Sequence, residues 1–206
     1  GLRLTLSKPI EILVADTSGR GTYHSLVNAG WTLPLENETQ NVANTRLFCI
    51  DPREGMAVVE VAKPAKLGKV LPSDPRWTLC VARVEIDANA QPLLERIECH
   101  LQIDHDYVAR VILRSTGRGA SSSEEFHDLE FGLSLAQVSP PSDRTDEGKA
   151  GNLGGPAGEA RALASSNLLQ RTNVARYDER NHSDGEAWRY VPGDLVANWR
   201  SSYFDT

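Results

Sequence analysis

The chain has 206 residues, 40% hydrophobic and 24% charged, enough for one core of ordinary domain size with segments to spare. A formal net charge of -6 argues against a nucleic-acid partner, because such proteins carry a basic face. No apolar stretch approaches the ~18 residues of a membrane-spanning helix, and nothing resembles a signal peptide, so neither membrane nor secretion is expected.

Apolar residues alternate with polar ones in short runs from Ile10 to about Leu135, with turn residues between the runs. This pattern predicts a mainly β fold, an antiparallel β-sandwich of about eight strands. Ile10–Ala15 is the first strand, with Ile10, Ile12 and Val14 on one face. The turn-rich stretch from Asp16 to Gly21 leads to a strand at Tyr23–Val27. The bend Asn28–Pro34 follows, and the polar stretch Glu36–Asn44 reads as a loop. Arg46–Ile50 and Met56–Lys63 read as a hairpin joined by Asp51-Pro52-Arg53-Glu54-Gly55, whose Pro and Gly suit a turn. Pro64–Pro75 reads as a connecting loop and Trp77–Ile86 as a strand.

The cleanest alternation places Ile97, Cys99, Leu101 and Ile103 on one face, and Tyr107, Ala109, Val111 and Leu113 on the facing strand. Asp104-His105-Asp106 joins them as a hairpin turn. A Gly/Ser loop at Thr116–Ser123 precedes a last strand with Leu129, Phe131, Leu133 and Leu135.

After Val138 the composition changes. Residues 1–136 read as the sandwich domain, 137–156 as a flexible linker, and 157–206 as a partly helical tail. Pro156 suits the first turn of a helix reaching about Gln170, and Thr172–Glu186 reads as polar loop. The chain's end is rich in aromatics. Trp188, Trp199, Tyr203 and Phe204 are expected to dock, either on a partner or on this chain's own sandwich.

Cys49, Cys80 and Cys99 are odd in number and far apart, each in an apolar strand, as in a reduced cytoplasmic protein. No metal-ligand spacing is present. Asp104, His105 and Asp106 offer titratable groups, but Asp is favoured in turns for local hydrogen bonding and no nucleophile is placed beside them. No catalytic residue is assigned, and the expectation is a non-enzymatic chain without cofactor or metal.

Several stretches in order resemble one family. They are Leu4-Thr5-Leu6-Ser7-Lys8-Pro9, His24-Ser25-Leu26-Val27 with Gly30-Trp31-Thr32-Leu33-Pro34, Leu47-Phe48-Cys49 with Ala57-Val58-Val59-Glu60-Val61, and Ile103-Asp104-His105-Asp106-Tyr107-Val108. Together they resemble the β-sandwich substrate-binding domain of the 70-kDa heat-shock chaperones, the DnaK type, over residues 2–136. The resemblance implies a channel that holds extended, apolar segments of unfolded client polypeptides. It implies Phe48 and Val58 as channel floor, with Cys49 beside them and Asp16 to Gly19 as one rim. It also implies an ATPase domain, in cis or in trans, outside this chain, so ATP enters only through that domain. Gly1 in place of Met fits an excised or processed piece of such a protein. The polar Asp16–Gly19 rim, where the family carries apolar residues, supports an alternative: a dedicated interaction or regulatory module that has lost general peptide binding.

Overall fold

The computed structural model describes residues 2–15, 21–91, 95–135 and 172–176. Within them the chain forms eleven strands and one short 3-10 turn, a mainly β fold of the sandwich kind. The strands are β1 (Leu2–Leu6), β2 (Ile10–Ala15), β3 (Gly21–Val27), β4 (Thr39–Cys49), β5 (Met56–Pro64) and β6 (Arg76–Glu85). They continue with β7 (Arg96–Asp104), β8 (Ala109–Ser115), β9 (Ser121–Phe126), β10 (Phe131–Leu135) and β11 (Val174–Arg176).

Two groups of strands build the sandwich. One is β3-β2-β5-β6 and the other β4-β7-β8-β9, each antiparallel throughout. Alternation drives the packing. Ile10, Ile12 and Val14 of β2, Ala57, Val59 and Val61 of β5, and Leu101, Val111 and Leu113 of β7 and β8 meet in one apolar core. β1 and β10 pair with each other as a separate two-stranded sheet, so the chain's described start lies against the last strand of the alternating run.

The structure corrects the sequence expectation at the Arg46–Ile50/Met56–Lys63 hairpin, whose strands β4 and β5 do not pair because each is taken up by a different group, and at Leu2–Leu6, a strand ahead of the expected first one. Three further segments differ. Thr39–Asn44 is the first half of β4, not a loop, and pairs residue by residue with β7 from Asp104 to Cys99. Ser121–Ser123 begins β9, paired with β8. Thr172–Glu186 is not loop throughout, because Val174–Arg176 is β11. The first two are polar runs and the third is only three residues long; the backbone of each is satisfied by a neighbouring strand, and pairing of that kind leaves no trace in hydrophobic period. The linker, the helix near 157–170 and the aromatic end lie outside the described residues.

Two turns fix the site's surroundings. Asp51 caps the 3-10 turn Pro52–Glu54 by accepting from the Arg53 N–H, and Gly55 closes it at φ +72°, where a side chain would be strained. At the β7–β8 turn, Asp104 Oδ1 accepts from the N–H groups of Asp106 and Val108. The Asp104 carboxylate therefore holds a turn. Tyr107 sits at φ 60° with its ring 4.9 Å from that of Phe131.

Candidate functional site

The strands β4 and β5 follow one another through a tight turn, yet they do not pair. β4 belongs to one group and β5 to the other, so the two splay apart from residues 51–55. β5 meets β2 only at Val61 and Ala62. Its edge from Met56 to Glu60 therefore has backbone groups facing an opening, with the end of β4 across from it. Such a slot, edged by backbone groups that lie outside the β2–β5 ladder, is a template for one more extended strand.

Residues 172–176 fill this slot. β11 runs antiparallel to β4, pairing Val174 with Cys49, Ala175 with Phe48 and Arg176 with Leu47. On its other side Ala175 pairs in parallel with Ala15, the last residue of β2. This parallel pair is an exception to the antiparallel rule expected from the sequence, and it comes from a segment distant in the chain.

Asn173 makes the densest contacts. Its N–H donates to Val58 O at 2.9 Å, and its C=O accepts from Ile50 N at 2.8 Å. Its carboxamide Oδ1 accepts from Val58 N at 2.8 Å, and Nδ2 donates to Met56 O at 2.8 Å. One residue therefore ties the end of β4 to the start of β5. Thr172 adds a fifth bond, its Oγ1 accepting from Glu60 N at 3.0 Å. The segment is sealed: Asn173 is 1% exposed, and Val174 and Ala175 are 0% exposed. Val174 enters the main apolar core.

Three of the residues singled out from the sequence meet here. Phe48 lies opposite Ala175 and is half-buried. Cys49 lies opposite Val174 and faces the core, where burial pushes its thiol up to about 12. Val58 takes a different part from the expected one. Its side chain lies on the opposite face of β5 from Ala57 and Val59, outside the core they join, and it serves the slot through its backbone N–H and C=O. Asp16 and Gly19 lie outside the described residues, although Ala15, just before them, borders the slot. Trp188, Trp199, Tyr203 and Phe204 also lie outside them. Sequence reasoning missed Asn173, Thr172, Ile50, Met56 and Glu60. The last three act through the backbone, which carries no residue-type signal, and the Val-Ala pair is too short to show a period.

The slot offers amide donors and acceptors and an apolar seat, which suits non-covalent retention of extended chain. Among the described residues no group of His, Cys, Asp or Glu is placed to hold a metal ion. Among them, too, no helix is long and apolar enough to cross a membrane. No model of a known protein family matches the chain, and no curated protein matches it.

Proposed function

We propose that this chain is a non-catalytic polypeptide-binding module, the substrate-binding part of a divergent heat-shock-70-type chaperone. It holds extended segments of client proteins in the slot between β4 and β5, under control of an ATPase domain outside this chain. One observation carries the reading: a segment remote in sequence lies extended in that slot, hydrogen-bonded on both sides and buried from Thr172 to Ala175. Main-chain bonds of this kind hold a segment in extended form, which suits a polypeptide-binding site. The ordered resemblance over residues 2–136 supports the same reading.

A second reading has its own support. The four hydrogen bonds of Asn173 and the full burial of Val174 suit a permanent plug, and the module would then serve one dedicated partner through another surface. The full chain and a Val174→Asp variant separate the two. A carboxylate at 174 is too costly to leave in the apolar core, so the segment should vacate the slot. A labelled, permanently unfolded polypeptide, followed by fluorescence anisotropy, should then bind the variant more tightly than the parent. If neither binds while circular dichroism reports an intact sandwich, the dedicated module is the better account.

A further inference from the structure

The way the slot grips Asn173 says more than that it holds extended chain. An ordinary strand residue uses its own N–H and C=O and nothing else. Asn173 uses both, and its carboxamide repeats the pattern of a second peptide group against β5, accepting from Val58 N and donating to Met56 O. The neighbours on each side are also restricted. The hydroxyl of Thr172 accepts from Glu60 N, so this position favours Ser or Thr. Val174 sits in the core, and Ala175 lies between Phe48 and Ala15 with no exposed surface, so the first seat takes a compact apolar group and the second only a small one.

We infer that the slot is a sequence-reading site for extended segments of the form Ser/Thr-Asn-Val-Ala, with the asparagine carboxamide as the principal determinant and residues 172–176 as its built-in ligand. The inference rests on the proposed polypeptide-binding role and specifies its ligand. Selectivity follows from geometry. Alanine in place of asparagine leaves Val58 N–H and Met56 C=O without these partners in a buried place. Aspartate presents an acceptor to the Met56 carbonyl and takes a charge out of water. Glutamine carries one methylene too many for a carboxamide already at bonding distance on both sides. Losing a pair of buried hydrogen bonds weakens binding by about tenfold or more.

The test uses the full chain with a protease site inserted between Gly154 and Gly155, cut after folding so that residues 172–176 become exchangeable. A full chain in which Thr172–Arg176 is replaced by Gly and Ser serves as an independent second form. The probes are a labelled peptide spanning residues 168–177, its Asn173→Ala, Asn173→Asp and Asn173→Gln versions, and a Leu-rich extended peptide without asparagine. The parent peptide should bind, and the three substituted ones should bind at least about tenfold more weakly. Equal binding of the parent and Asn173→Ala peptides, or tighter binding of the Leu-rich peptide, overturns the asparagine reading and leaves polypeptide binding standing. Binding of no peptide to either folded form overturns both.

Discussion

Glu11 and Arg76 show how a buried charge is kept in a sandwich of this kind. Their side chains are 8% and 4% exposed and meet at 2.8 Å. The guanidinium also donates to the Leu71 and Asp74 carbonyls and lies 4.6 Å from the Tyr23 ring centroid. Burial outweighs the Arg76 contact and raises the Glu11 pKa above its ordinary 4.5. The carboxylate is thus held at a desolvation cost, and stability falls as pH rises from 4.5 through the folded value. Removing one partner strands the other, so Glu11→Ala should cost about 3–5 kcal/mol in urea unfolding, while a Glu11→Leu, Arg76→Met double variant should recover most of it. The thiols give a second test. Cys49, Cys80 and Cys99 are each pushed up to about 12 by burial, against 9.0 for a free thiol. The unfolded chain therefore loses these protons first, and stability declines as pH climbs from 9.0 toward about 12. Urea midpoints should fall between pH 8 and about pH 10.5, and a Cys49→Ala, Cys99→Ala variant should show a shallower fall despite its lower starting stability.

At the scale of elements, the two-stranded β1–β10 sheet carries an ion-pair tie at its Ser7–Glu130 end, beside the bonds of β1 to residues 30–33. Glu130 meets Lys8 at 2.8 Å and Lys63 at 3.1 Å, and Ser7 N donates to Glu130 O. The Lys8 hydrogen bond, then that of Lys63, holds the Glu130 carboxyl below its ordinary 4.5. The stabilisation is complete above 4.5 and is lost as pH falls through the lower folded value. Leu2 and Leu133 are mostly exposed, while Leu6 is buried in the core, so loss of the tie loosens this sheet without detaching it. Amides of β1 should lose protection in hydrogen exchange below about pH 4 while those of β7 keep theirs, and Glu130→Gln should flatten the difference. The same scale shows what the sequence could reveal. Ile10–Ala15, Met56–Lys63 and the Ile97–Leu113 hairpin were legible because alternate apolar residues of each join the core, although β2 and most of β5 are buried on both faces. The first half of β4, the start of β9 and all of β11 were not. Thr39–Asn44 and Ser121–Ser123 are polar runs held by ladder bonds, and Val174–Arg176 owes its strand to an edge more than 100 positions earlier in the chain. Of the residues that border the slot, the sequence had singled out Phe48, Cys49 and Val58, but the backbone bonds of Val58 and the carboxamide of Asn173 required the fold.

At the scale of the whole molecule, β11 joins the two groups by lying between β2 and β4, while Thr172 and Asn173 just before it bridge the β4–β5 opening. A strand of three residues between two large groups is either part of the cooperative unit or a separable insert, and the two have different energetic signatures. Val174→Ala removes two methyl groups from the core, a loss of about 2 kcal/mol. If β11 unfolds only with the sandwich, that loss appears everywhere, in the urea midpoint and in the exchange of every core amide. If β11 leaves the slot while the sandwich stays folded, the loss concentrates on the opening of the slot alone. The proposed function requires the second, because an exchangeable ligand must leave without unfolding its receptor. Hydrogen exchange of the Val174→Ala full chain should therefore show faster exchange at Ile50, Val58 and Glu60, whose N–H groups bond to residues 172 and 173. Leu101 and Val111, paired between β7 and β8, should change far less. Equal acceleration at both sets makes β11 an integral strand and the dedicated module the better account.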